Sequence, residues 1–163
     1  MWEPSIAVRV LDSLARRGET VATAESLTGG LLASLLTDVP GASRSFVGGV
    51  VSYATRIKIS ALDVPADLVE QHGVVSQECA EAMACGVRAR LDATWGLATT
   101  GVAGPDEQEG QSVGTVWVAL AGPGLVAAHR LELRGDRLMI RQATCEAVLA
   151  LLVDHLREEG ALG

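Results

Sequence analysis

Apolar positions along the chain repeat with a helical period in some stretches and an extended one in others, and the two alternate. Ser5 to Arg17 places Ile6, Val10, Leu11 and Leu14 on one helical face, with Gly18 as the stop. Thr20 to Ala24 reads as a short buried strand, bounded by Glu25-Ser26-Leu27-Thr28. Gly29-Gly30 then opens an apolar helix through Val39, which Pro40-Gly41 ends. Phe46 to Tyr53 is a second strand, in which Gly48-Gly49 points to a bulge or a close backbone approach. Short helices are expected over Arg56–Leu62 and Ala66–His72, and a longer one from a Ser76 cap to Leu91, with Glu78 near its positive end. Trp95 to Val102 is a strand that empties into a Gly- and acid-rich loop, Ala103 to Ser112. Val113–Ala121 and Leu125–Leu133 form an antiparallel hairpin joined by Gly122-Pro123-Gly124. The last helix, Asp136 to Glu158, turns Ile140, Thr144, Ala147, Val148, Leu151 and Leu152 inward. Early β-α-β alternation followed by a hairpin predicts an α/β fold, with a mixed sheet covered by helices on both faces.

Composition narrows the possibilities. A chain of 163 residues with 48% hydrophobic content fits one domain, residues 1–163, whose core needs neither disulfides nor structural metal. The formal charge of −7 and a pI near 4.9 argue against a nucleic-acid surface, as do the dispersed Trp2, Trp95 and Trp117. No apolar run approaches the length of a membrane span, and Met1-Trp2-Glu3-Pro4 has no signal-peptide character, so a cytoplasmic protein without membrane contact is expected. Cys79, Cys85 and Cys145 contain no C-x-x-C pair, and His72, His129 and His155 share no ligand spacing, so neither metal nor cofactor is expected. A homo-oligomer is expected if the fold leaves an apolar stripe exposed. Among the 13 basic residues the only lysine is Lys58, and the only tyrosine, Tyr53, lies five residues before it. Genome-wide Arg-for-Lys drift explains the scarcity but not the placement.

Four segments could carry chemistry. Ser26 stands at a strand end before a glycine-opened helix, where unpaired N–H groups of Thr28, Gly29 and Gly30 can hold a phosphate or an oxyanion. The alternative, which this motif alone favours, is that Ser26 or Thr28 simply caps that helix. A serine nucleophile needs a base, and Lys58 becomes one if burial lowers its pKa, with Tyr53 placed to relay a proton. The histidines are poorly placed for that role. Thr99-Thr100-Gly101-Val102-Ala103-Gly104 presents hydroxyls and bare backbone where open α/β sheets bind ligands, or is a plain turn. Arg137 and Arg141 share one helical face and can clamp a phosphate, or can pair with Asp136 and Glu132.

Taken together, A-E-S-x-T-G-G, Tyr53 through Lys58, T-G-V-A-G-P, V-G-T-V-W and G-D-R-x-x-x-R-x-x-T resemble the CinA C-terminal domain family, from about Ile6 to Leu156. The resemblance implies a three-layer α/β/α fold and a nicotinamide-nucleotide amidase, which hydrolyses nicotinamide mononucleotide to nicotinate mononucleotide and ammonia. It implies a catalytic set falling on Ser26, Lys58 and Tyr53, with Thr100, Gly101, Gly104, Arg137 and Arg141 toward a small-molecule nucleotide. A non-catalytic nucleotide-binding module, or an amidase for another small carboxamide, is the alternative. The chain departs from the family pattern at Thr55, at Arg56-Ile57 and at Asp106-Glu107-Gln108-Glu109. Many relatives carry an additional N-terminal domain, for which 163 residues are expected to leave no room.

Overall fold

The structure, a computed structural model, describes residues 3–162; the calls on Met1, Trp2 and Gly163 lie outside them. The elements follow the order α1 (Ile6–Arg17), β1 (Val21–Glu25), α2 (Leu31–Thr37), β2 (Phe46–Val51), α3 (Thr55–Leu62), α4 (Ala66–His72), α5 (Gln77–Arg90), β3 (Trp95–Gly101), β4 (Thr115–Gly122), β5 (Leu125–Glu132) and α6 (Arg137–Leu162). Each stands where hydrophobic periodicity placed it, with ends shifted by a few residues. The largest shift is in α6, which runs to Leu162 rather than Glu158, while α2 stops at Thr37 rather than Val39. β2 ends at Val51, so Ser52 and Tyr53 leave the sheet and turn toward α3.

The five strands form one sheet in the order β2-β1-β3-β4-β5. β1 lies parallel to both β2 and β3, whereas β3–β4 and β4–β5 are antiparallel, so the sheet is mixed. The hairpin closes more tightly than expected: Gly122 pairs with Leu125, leaving Pro123-Gly124 as a two-residue turn.

The two faces of the sheet differ in side-chain size. Toward α1, α2 and α6 it presents Val21, Trp95, Leu97, Val116, Val118 and Leu120. Toward α5 it presents Ala22, Ala24, Ala98, Ala119 and Ala121. Large side chains fill the wider gap beneath three helices, while the alanine face lets α5 lie close. Gly96 marks that approach, because a Cβ there would overlap the carbonyl oxygen of Ala84 on α5. The register of β1 and β2 shifts at Val21/Ala22, and Gly49 sits so near Thr23 that a Cβ would collide with its hydroxyl. The bulge and the close approach expected of Gly48-Gly49 are both present.

After β1 the chain crosses to β2 on one side, then returns to β3 on the other. β1 is therefore a topological switch point, and the carboxyl ends of β1, β2 and β3 open a crevice there.

Candidate active site

Ser26 follows β1 directly, its N–H donating to Thr99 O on β3 at 3.0 Å. Beyond it the chain makes a tight turn: Gly29 N donates to Ser26 O at 3.0 Å and Leu31 N to Thr28 O at 2.9 Å. Gly30 caps α2 with φ 104°, a conformation that side chains resist, and it contributes no side-chain acceptor. The first amides of α2 are instead met from behind by Glu25. Its carboxylate accepts from Leu32 N at 2.8 Å and Ala33 N at 3.1 Å. The cap expected from Ser26 or Thr28 is thus supplied by Glu25, a buried acid at the end of a fully buried strand. Thr28 Oγ1 is taken up by Thr99 Oγ1 at 2.8 Å, and the Ser26 hydroxyl is left for Lys58.

Glu25→Ala leaves two inner amides without a partner, at a cost of about 2–3 kcal/mol. For a domain of this size that is expected to lower Tm by roughly 5–10 °C. Glu25→Gln, which keeps one acceptor oxygen, should fall between it and wild type in the same thermal melt.

Lys58, on the first turns of α3, is 1% exposed. Its Nζ lies 2.9 Å from Ser26 Oγ, 2.7 Å from Ser52 O and 3.1 Å from Tyr53 O. Ser52 is held in place as its N–H donates to Glu25 O at 2.8 Å. Burial pushes the Lys58 ammonium below the ordinary lysine range, against the opposing pull of Cys79 and Glu109. Cys79, the buried thiol near Lys58, is itself pushed up to about 11 by desolvation.

Tyr53 contributes to this centre through its backbone. Its side chain is 60% exposed, and its hydroxyl accepts from Arg137 at 3.1 Å. The proton relay expected of Tyr53 is therefore not assembled; Ser26 and Lys58 meet directly, because Ser52 and Tyr53 leave the strand and lend Lys58 their carbonyls. Arg137 also donates to Gly104 O, bridging the Tyr53 side to the β3–β4 loop.

A cavity of about 400 Å³ opens over this pair. Ser26, Leu27, Tyr53, Lys58, Val74, Thr100, Gly101, residues 102–108 and Arg137 line it. Of the residues expected to meet a ligand, Thr100, Gly101, Gly104 and Arg137 do face this space. Arg141 does not. Its guanidinium donates to Leu27 O and Thr28 O, both at 2.9 Å, and so ties α6 to the turn after Ser26 instead of meeting a phosphate. Thr28, Gly29 and Gly30 also stand outside the lining, and the Gly29 amide is spent on Ser26 O. The amides of Leu27 and Thr28, both buried, make no hydrogen bond among the described residues. Leu27 was not anticipated; its only sequence signal is that it directly follows the serine. Among the described residues no three His, Cys, Asp or Glu side chains gather as a metal cage, and no helix is long and apolar enough to cross a membrane.

Comparison with known proteins agrees with this architecture. The chain is 54% identical over 143 residues to a CinA-like protein of Frankia casuarinae, covering 88% of this chain and 33% of that one. A CinA-like protein of Synechocystis is 48% identical over 160 residues, 95% of this chain and 37% of that one. The chain thus spans about a third of the length of these relatives. Among crystal structures, a CinA superfamily protein of Klebsiella pneumoniae superposes with a TM-score of 0.91 at 31% identity, over 94% of this chain and 96% of that one. The competence/damage inducible protein CihA of Agrobacterium tumefaciens gives 0.89 at 33% identity, over 96% and 99%. With the sequence profile of the CinA C-terminal domain matching residues 3–156, and the same layered sheet carrying the Ser26–Lys58 pair, the chain belongs to the CinA C-terminal domain family.

Proposed function

We propose that this cavity hydrolyses the carboxamide of nicotinamide mononucleotide, giving nicotinate mononucleotide and ammonia through an acyl-serine. The observation that carries the reading is the environment of Lys58 Nζ. Two of its three partners, Ser52 O and Tyr53 O, are carbonyls that only accept, and the third is the Ser26 hydroxyl. A neutral amine has two N–H bonds and one lone pair. With both N–H groups on the carbonyls, the lone pair points at the Ser26 proton, the arrangement a general base requires.

Ser26 Oγ then attacks the carboxamide carbon as its proton passes to Lys58. The oxygen that gains charge is received by the amide of Leu27, which lines the cavity and makes no other hydrogen bond among the described residues; losing such a donor typically costs about 3 kcal/mol. The C–N bond breaks as Lys58 returns the proton to departing ammonia. Water, deprotonated by Lys58, then cleaves the ester and restores Ser26. The cationic pyridinium ring favours this attack by withdrawing electrons from the carbonyl.

Among the described residues Arg137 is the one cation other than Lys58 that lines the cavity, so it is the residue offered to the 5′-phosphate. Arg137→Met should raise KM for nicotinamide mononucleotide about 10- to 100-fold, the equivalent of one charge-assisted contact. Steady-state kinetics on the dephosphorylated riboside should show no comparable change.

The direct test is ammonia release from nicotinamide mononucleotide by the purified protein. Ligand-dependent thermal stabilisation without ammonia would instead indicate a nucleotide-binding module. A panel of other carboxamides separates the remaining alternative.

A further inference from the structure

We propose that Glu109 is a positioning residue, a clasp that holds the β3–β4 loop against the α4–α5 connection and so shapes one wall of the substrate cavity. The proposal rests on the amidase reading for its kinetic consequence, but not for the clasp itself.

Glu109 sits at the tip of a turn in which Gln108 N donates to Gln111 O at 3.2 Å and Gln111 N to Gln108 O at 2.8 Å. Both central residues have positive φ, 53° at Glu109 and 72° at Gly110. Asn, Asp and Gly normally occupy such positions, because a longer side chain with a Cβ is strained there. The glutamate in this place reaches across to the other side of the cavity. Its Oε1 accepts from Val74 N at 3.0 Å and Val75 N at 2.9 Å, and its Oε2 accepts from Val74 N at 3.1 Å. Residue 73 leaves the room for this, since a Cβ on Gly73 would stand 2.9 Å from both carboxylate oxygens. The strained turn, the vacated space and the two satisfied amides are three separate features of one contact.

What the clasp joins connects it to the cavity. Val74 is gripped at both ends of its backbone, its N–H by Glu109 and its carbonyl by Thr100 Oγ1 at 2.8 Å. Val74, Thr100 and residues 103–108 all line the space above Ser26. Within that loop the side chains of Asp106, Glu107 and Gln108 are exposed and make no hydrogen bond among the described residues. The loop is anchored at its near end by Arg137 on Gly104 O and at its far end by Glu109. Glu109 makes no hydrogen bond to Ser26 or Lys58 and acts on Lys58 only through its charge, so on the high-pH plateau, where Lys58 is neutral in every variant, its loss should act on substrate binding rather than on the bond-making step.

Glu109→Ala and Glu109→Gln test this. Amide hydrogen exchange, which needs no substrate, should show Val74, Val75 and Gln108 exchanging at least about tenfold faster in Glu109→Ala. Glu109→Gln should restore slow exchange at Val75, which donates to one oxygen that glutamine keeps, and in part at Val74, which shares both. Wild-type exchange in Glu109→Ala overturns the clasp. In ammonia-release assays Glu109→Ala should raise KM about tenfold while kcat stays within about threefold, with Glu109→Gln near wild type. An unchanged KM, or an equal loss in kcat alone, overturns the positioning role. A wild-type protein that releases no ammonia overturns the amidase reading, and the exchange measurements then decide the clasp independently.

Discussion

Replacing Lys58 with arginine is expected to reduce ammonia release by about 10³-fold or more, because it puts a permanent cation where the proposed base is a neutral amine. The reason is protonation chemistry. Lysine in this pocket can exist as the neutral amine, since burial shifts it downward, whereas a guanidinium does not lose its proton in proteins. Because Lys58 is buried, Lys58→Met is the companion variant, matching the length without the added bulk of arginine. Both should be equally inactive if the lost function is a proton acceptor. Substantial turnover in Lys58→Arg would sink the base assignment.

The wild-type pH profile follows from the same shift. The ammonium form predominates below the pKa of Lys58, so kcat/KM should rise about tenfold per pH unit there and level off above it. That bend should fall below the ordinary lysine value of about 10.4. Stability has the same sign: between the lowered folded pKa and the ordinary unfolded one, the unfolded chain binds more protons, so stability contributed by this group rises with pH.

Ser26→Ala should be the most damaging substitution of all, lowering turnover by about 10⁴- to 10⁶-fold. It deletes the atom proposed to form the acyl intermediate, yet touches little else. Ser26 holds its neighbours through backbone bonds, its N–H to Thr99 O and its carbonyl to Gly29 N, and alanine keeps both. Binding of nicotinamide mononucleotide measured by calorimetry should therefore persist. Residues that act as a unit do not add, so Ser26→Ala combined with Lys58→Met should be no slower than Ser26→Ala alone. A double variant much slower than either single would mean that Lys58 works independently of the serine.

The layered fold was readable because each element announces itself locally. The 3.6-residue period of α1, the Ser76 cap of α5 and the Pro-Gly turn between β4 and β5 involve only near neighbours in the chain. Ser26 and Lys58 were also legible as types: a serine before glycines, and a sole lysine among arginines. Arg137 and Arg141 were not separable by spacing. One helical turn apart on one face, they end with one on the cavity and the other on the backbone of the turn after Ser26. Tyr53 suggested a hydroxyl relay, but its place just past the end of β2 sends the ring outward and leaves the carbonyl facing Lys58. Glu25 and Glu109 gave no sign of what they accept, since their partner amides lie in other segments.

Sequence by itself determined the elements, their order and the two side chains on which the proposed chemistry turns, because helical and extended periodicity and residue type are local properties. Only the tertiary structure decided which nitrogen meets which oxygen. The parallel pairing of β1 with β2 brings Ser52 and Tyr53 beside Ser26, and α3 then delivers Lys58 into a space too dry to favour its charge. The lowered pKa belongs to that assembly, since desolvation depends on what surrounds a group and not on what precedes it in the chain.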